Sequence, residues 1–289
     1  MRFYRAVNRN GFRLLARTDA KYHDLTAANS SVTSIRDLAL AADISGRSLD
    51  DTAMNLLEDA PVVSLVEFDD EITTPIAAEE VWAAGVTYRI SEEAREAESG
   101  MPEIYLDVYE GDRPELFLKS TPSRTVGPDD TVGIRRDSEW NVPEPELGVV
   151  LYRGNIVGYT VGNDMSSRSI EGQNPLYLPQ AKVYDRCCAI GPCVASPETV
   201  GDPHNLEIRM KINRDGELVY DEATSTAKMV RTCEELVSAL NRHNCIPQSA
   251  VLLTGTSLVP SESFTLQEGD CVSIDIDRIG RLENTVTTV

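Results

Sequence analysis

Hydrophobic positions along the chain fall into two textures. Up to about residue 75, short apolar runs give way to helical spacing. Phe3 to Val7 and Phe12 to Ala16 predict two strands around the turn Asn8-Arg9-Asn10-Gly11, where Asn and Gly tolerate turn dihedrals. Ser34 with Asp37, ahead of Leu38, Leu40 and Ala41, predicts a capped helix start. Ser48 with Asp51 repeats the device before Met54, Leu56 and Leu57. Pro61 to Pro75 is expected to lead out of this unit. Nothing here carries obvious chemistry, so residues 1–75 are expected to form a small N-terminal α/β domain with a structural or oligomerising role.

From residue 76 to 289 the pattern changes. Short β-branched runs alternate with Gly and Pro turns: Thr131 to Ile134, Leu147 to Tyr152, Ile156 to Val161, Leu206 to Ile212, Val251 to Thr254 and Cys271 to Ile276. That spacing predicts a β-rich sandwich, barrel or roll. Two helices are expected within it. One is the polar stretch Glu92 to Glu98. The other follows Thr232, which with Glu235 makes a capping box ahead of Leu236, Val237 and Leu240.

Composition narrows the class. The chain has 289 residues, 41% of them hydrophobic, as in ordinary globular proteins. It contains no apolar run near the roughly 20 residues of a membrane span and no leader-like apolar core at its start, so a cytoplasmic protein is expected. A formal net charge of −20 disfavours nucleic acid and anionic membranes as partners. Only five of the 27 basic residues are lysine, at 21, 119, 182, 211 and 228. An acid-rich, lysine-poor surface suits high salt, where repulsion is screened, so a halophilic host is expected. The six cysteines contain no CxxC pair, which argues for reduced buried thiols over a zinc ribbon. No nucleotide-binding glycine motif is present.

The chemistry concentrates in Trp140-Asn-Val-Pro-Glu144-Pro-Glu146-Leu-Gly-Val-Val-Leu151. In a strand, positions i and i+2 share a face, so Glu144 and Glu146 converge beside an apolar run. They repel unless a proton or cation lies between them. Pro145 offers no ladder donor, which predicts a sheet edge or a bulge there. A Glu-x-Glu pair alone is usually a solvated face. The second polar strand end, Gly158-Tyr-Thr-Val-Gly-Asn-Asp164-Met-Ser166-Ser-Arg168, adds a third carboxylate. Three oxygen ligands suit Mg²⁺, with Mn²⁺ or Ca²⁺ as substitutes. The histidines, at 23, 204 and 243, lie far along the chain from these segments.

The ordered series Gly85-Val-Thr-Tyr88-Arg89, Phe117-Leu-Lys119, Pro143-Glu144-Pro-Glu146-Leu147, Gly158-Tyr-Thr, Asn163-Asp164-Met-Ser166-Ser-Arg168, Lys182, Gly191-Pro192 and Thr254-Gly255-Thr256 resembles the catalytic domain of the fumarylacetoacetate hydrolase superfamily. The resemblance covers roughly residues 80 to 285. It implies an α+β, β-rich fold, a mixed β-sheet roll, with metal ligands Glu144, Glu146 and Asp164 and the family lysine at Lys182. Arg113-Pro-Glu115-Leu-Phe117-Leu-Lys119, Asp137-Ser-Glu-Trp140 and Asn174-Pro-Leu-Tyr-Leu-Pro-Gln180-Ala-Lys182 are similar to the branch that dehydrates 2-keto-3-deoxy-D-arabinonate, also called 2-keto-3-deoxy-D-xylonate, to 2,5-dioxopentanoate.

The series departs from the hydrolases where their motif carries a water-activating histidine: here Ser91 follows Arg89-Ile90. Serine is a poor base near neutral pH, which disfavours C–C hydrolysis. Ser169 after Arg168 also replaces an expected acid. Lys182, its pKa expected to fall beside a cation, and Glu115 are the candidate proton carriers. Tyr88, Arg89, Lys119, Ser166, Arg168 and Thr256 are the candidate substrate contacts; structural ion pairs or packing are the alternative roles for Glu115, Lys119 and Tyr88. The expected partner is a small 2-keto acid, and the expected assembly a homo-oligomer, dimer or tetramer. Acylpyruvate hydrolysis and oxaloacetate decarboxylation remain alternatives, as does a non-enzymatic, metal-stabilised acidic scaffold.

Overall fold

The computed structural model describes residues 1–9, 11–64, 71–88, 108–109 and 111–289. Its strands, in chain order, are β1 (Arg2–Asn8), β2 (Gly11–Thr18), β3 (Lys21–Asp24), β4 (Val62–Val63), β5 (Glu71–Ile72), β6 (Glu80–Gly85), β7 (Glu115–Ser120), β8 (Thr125–Val126), β9 (Thr131–Ile134), β10 (Asn141–Val142), β11 (Pro145–Tyr152), β12 (Asn155–Asp164), β13 (Ser166–Ser167), β14 (Cys188–Ala195), β15 (Glu207–Arg214), β16 (Glu217–Ser225), β17 (Ser249–Leu253), β18 (Cys271–Ile276) and β19 (Gly280–Thr288). They form a mixed 12-stranded sheet in the order β4-β3-β2-β1-β14-β12-β11-β17-β6-β7, with β5 on β1 and β8 on β14. A 5-stranded sheet, β16-β15-β18-β19-β9, packs against it.

The central strand β11 is buried along its whole length, paired with β12 throughout and with β17 from Gly148 onward, which is why Leu147 to Leu151 reads as a near-continuous apolar run. Each of its large apolar side chains contributes roughly 1.5–3 kcal/mol by leaving water. This ladder is the rigid base of the charged cluster described below.

The local signals near the N-terminus form as the sequence predicts. β1 and β2 pair from Arg2↔Arg17 to Asn8↔Gly11. Ser34 accepts the Asp37 backbone N–H ahead of the helix Ile35–Ser45, and Ser48 accepts that of Asp51 ahead of Leu49–Leu57. Each such cap contributes on the order of 1 kcal/mol. The tertiary setting of these strands is less local. β1 pairs with β14 at Arg2↔Ala195 and Phe3↔Val194, so the N-terminal strands extend the sheet that holds the catalytic-domain strands. β4 and β5, inside the stretch Pro61 to Pro75, pair with β3 and β1. The capping box of Thr232 and Glu235 opens the helix Cys233–Asn241. The expected helix Glu92 to Glu98 lies outside the described residues. All six cysteines are free, and four of them, Cys187, Cys188, Cys193 and Cys233, are buried. Among the described residues no helix is long and apolar enough to cross a membrane.

Candidate metal centre and active site

The β11–β12 pairing builds the site. Pro145 lies opposite Asn163 and Glu146 opposite Gly162, so Glu144 falls opposite Asp164 in the same antiparallel register. The Asp164 N–H donates to the Glu144 carbonyl at 2.9 Å and fixes that juxtaposition. Positions opposite each other, and two apart, share a face. Glu144, Glu146 and Asp164 are therefore driven together, and their ligand oxygens lie within 4.8 Å of one another, all buried. The missing donor of Pro145 is absorbed by an edge: β17 pairs with β11 only from Gly148 onward. The register shift in β11 falls instead between Val150 and Leu151, away from the carboxylates.

Two lysines brace the cluster. Lys119, fully buried on β7, makes an ion pair with Asp164 Oδ1 at 2.5 Å and donates to the carbonyls of Met165, at 2.8 Å, and Lys182. Two backbone carbonyls and one carboxylate therefore surround its ammonium, an arrangement that supports a carboxylate-neutralising role. Lys182 ends the helix Leu178–Lys182 and donates to Glu144 Oε2 at 2.9 Å and Ser166 Oγ at 2.7 Å. Arg168 Nε lies 3.2 Å from Glu144 Oε1. The Gly255 N–H donates to Glu146 Oε2 at 2.6 Å. Gly255 has φ +84°, and a side chain there would collide with Thr87 and the Ala84 carbonyl, so this donor position calls for glycine.

The electrostatics are unbalanced. Burial raises the Glu144 carboxyl, but Lys182, Arg168 and Lys119 outweigh it and hold the pKa at about 2. Glu146 goes the other way: burial and the charges of Asp164 and Glu144 push it well above its ordinary value. Asp164 is raised by burial, partly offset by Lys119 and Lys182. Burial acts to lower Lys182, yet Asp164, Glu144 and Glu171 overcome it and raise its pKa. The protein groups alone thus raise it, because the carboxylates are close; the expected lowering belongs to the state with a cation bound. Five carboxylates (Glu115, Glu144, Glu146, Asp164, Glu171) surround three cations (Lys119, Lys182, Arg168) among the described residues, so with all five ionised two negative charges would lack a partner. An all-oxygen donor set with that deficit fits a hard divalent cation.

Glu115 stands on β7 opposite Gly85 of β6, and its carboxylate occupies the space a Gly85 side chain would fill. Burial raises its pKa, Lys182 lowers it, and Glu171, Glu144 and Asp164 raise it further. Ser166 Oγ donates to the Asp164 carbonyl at 3.0 Å while accepting from Lys182. Tyr88 is buried, and its phenol pKa is raised by burial and by Glu146. Thr256 accepts the Leu258 N–H at 3.0 Å. Arg89 and Ser91 lie outside the described residues. Ser169, in the place of the expected acid, shares a hydrogen bond with Ser138 Oγ at 2.9 Å.

A family model described as "Fumarylacetoacetate (FAA) hydrolase C-terminal" matches residues 80–287. The chain belongs to the fumarylacetoacetate hydrolase family. Within that family it is similar to "Probable 2-keto-3-deoxyxylonate dehydratase" of Haloferax volcanii, 63% identical over 277 residues and 96% of both chains. It is also similar to "2-dehydro-3-deoxy-D-arabinonate dehydratase" of Saccharolobus solfataricus, 43% identical over 220 residues and 74% of both. The structure of "2-keto-3-deoxy-D-arabinonate dehydratase complexed with magnesium and 2,5-dioxopentanoate" superposes with a TM-score of 0.85 at 34% identity, covering 100% of this chain and 99% of that one.

The residue that sequence reasoning missed is Glu171. Its Oε2 lies 3.9 Å from both Lys182 Nζ and Arg168 Nη1. A signal was available. Ser167 caps the turn Arg168–Glu171 by accepting the Ile170 N–H, and a helical turn puts i and i+3 on one side.

Proposed function

We propose that this protein is a magnesium-dependent hydro-lyase that converts 2-keto-3-deoxy-D-arabinonate (2-keto-3-deoxy-D-xylonate) to 2,5-dioxopentanoate in oxidative pentose breakdown. The observation that carries the reading is the buried triad Glu144, Glu146 and Asp164 with Lys182 2.9 Å from one of its members. Its support is the full-length likeness to dehydratases of these sugar acids, one bound to magnesium and the product.

Glu144, Glu146 and Asp164 would hold the metal. Bound there, Mg²⁺ supplies Lewis-acid charge that polarises the 2-keto group and acidifies C3. Lys182 is suited to carry a proton, since in the metal-free protein its carboxylate neighbours raise its pKa. Glu115, raised by burial, is suited to exchange a proton nearer neutral pH. In the assigned roles, Glu115 removes the C3 proton and Lys182 delivers one to the departing C4 hydroxyl, releasing water. Protons then move from C5 and its hydroxyl to C3 and C4, which yields the aldehyde. Lys119 holds Asp164, and Ser166 and Arg168 hold Lys182 and Glu144. Arg89, Tyr88 and Thr256 complete the proposed substrate-binding set. We place the enzyme in the cytoplasm of a salt-adapted cell on its charge of −20 and its free cysteines, and keep the homo-oligomer as an expectation.

The test is turnover of 2-keto-3-deoxypentonate, with and without Mg²⁺, by wild type and Glu146→Gln. Magnesium-dependent release of 2,5-dioxopentanoate, lost in the variant, is expected. Faster hydrolysis of an acylpyruvate, or faster decarboxylation of oxaloacetate, would overturn the assignment.

A further inference from the structure

Lys182 contacts both the carboxylate triad and Glu171. Its Nζ lies 2.9 Å from Glu144, 3.8 Å from Asp164 and 3.9 Å from Glu171 Oε2. Glu171 is also 3.9 Å from Arg168 and is mostly buried, its side chain 14% exposed. Two cations thus attract this carboxylate, yet neither is close enough to hydrogen-bond. Among the described residues no donor reaches Oε2, which is itself buried. A buried carboxylate oxygen without a donor is unfavourable, because it has lost water and gained no hydrogen bond in exchange. Nothing in the fold requires an acid there: the turn Arg168–Glu171 is capped by Ser167 and its end by the Gly172 N–H. An acceptor so placed suits a hydroxyl donor.

We propose that Glu171 is a specificity-determining residue that accepts a hydrogen bond from the C5 hydroxyl of the substrate. The inference rests on the dehydratase reading. A 2-keto acid held at the triad by C1 and C2 extends past Lys182 with C3 and C4, the atoms where protons are exchanged. C5 is the next atom out, and Glu171 is a carboxylate outside the triad that borders Lys182. The acceptor therefore selects a chain that carries a terminal hydroxyl over one that ends in methyl. A site built to bond a hydroxyl rejects the analogue lacking it more strongly than a site that merely tolerates it, because the acceptor is left unpaired.

The experiment compares two compounds in wild type and Glu171→Gln: 2-keto-3-deoxypentonate and its 5-deoxy analogue, 2-keto-4-hydroxypentanoate. The analogue can still lose water across C3 and C4, giving 2-oxopent-3-enoate, so both reactions are measurable. Wild type is expected to favour the hydroxylated compound in kcat/KM by about 10- to 100-fold, the range for a hydrogen bond to a charged group. The Glu171→Gln side chain keeps the shape but loses the charge, and the preference should shrink to within a few-fold, chiefly through the hydroxylated substrate. Magnesium binding by calorimetry should stay at the wild-type level. Equal losses on both compounds would instead make Glu171 a positioning residue for Lys182 and overturn the proposal, as would an unchanged preference. Failure of wild type to dehydrate either compound would sink the dehydratase reading itself, and the proposal with it.

Discussion

Lys119 meets Asp164 at 2.5 Å with both side chains buried, whereas Arg209 meets Asp221 at 2.7 Å on the open face of β15 and β16, with the arginine 46% exposed. The same outer sheet carries Arg281 against Asp275 at 2.9 Å. Both regions pair cations with carboxylates across strands, at similar distances. They differ in what water can do. On the outer sheet, solvent screens each charge, and separating a pair changes little. Around Asp164, each charge has lost its hydration and depends on its partner, so the whole cluster is one coupled unit. Burial also explains the imbalance there. A surface excess of acid is tolerated, while buried carboxylates that outnumber the cations beside them favour a proton or a metal ion among them.

The sharpest test of that contrast is Lys182→Met, which keeps the length of the side chain and removes its proton. Turnover should fall on the order of 10²–10⁴-fold, as for loss of a general acid, while calorimetric metal binding persists. Near-normal turnover would separate Lys182 from the chemistry.

Lys119→Met should act on stability and on metal affinity together. It leaves Asp164 buried without its closest cation, at a cost of about 3–5 kcal/mol in chemical denaturation of the metal-free protein. A loss no larger than that of an outer-sheet variant such as Asp221→Asn, which is expected to denature like wild type, would erase the distinction between the two regions.

The pH dependence of the metal-free protein should show two opposed limbs. Glu144 has a folded pKa of about 2, below its ordinary 4.5. Its contribution is present above pH 4.5 and is lost as pH falls toward 2. Glu146 is raised. Its contribution is present below its ordinary pKa and is lost as pH rises through the folded value. Metal-free Glu146→Gln should therefore melt higher than wild type at neutral pH, and magnesium should abolish that advantage by stabilising wild type alone. A lower melting temperature for the variant would contradict the repulsion assigned to this pair.

The smallest expected effect per group, summed over the surface, is that of salt. With a net charge of −20, the melting temperature should rise with KCl into the molar range. The buried Lys119–Asp164 pair should be insensitive to the same titration. A flat or falling profile would argue against salt adaptation.

The local rules written in the sequence were sufficient for part of this. Ser34, Ser48 and Thr232 cap helices because a side-chain oxygen and a backbone N–H three residues on need no tertiary partner. Alternation along a strand was enough to put Glu144 and Glu146 on one face, and the family motif named Asp164 and Lys182. Other features needed long-range register. Asp164 faces Glu144 because β12 pairs with β11 at that offset, and a slip of one residue would turn it to the opposite face. Glu115 reaches the cluster through a gap left by Gly85 on a neighbouring strand. Lys119 became a brace for Asp164 only when β7 brought it under the Met165 and Lys182 carbonyls. β1 joins β14 across nearly two hundred residues of chain, a pairing no local pattern encodes. Spacing along a strand or helix is a property of the backbone itself, whereas burial, which decides whether a charge is screened or coupled, is a property of everything packed around it.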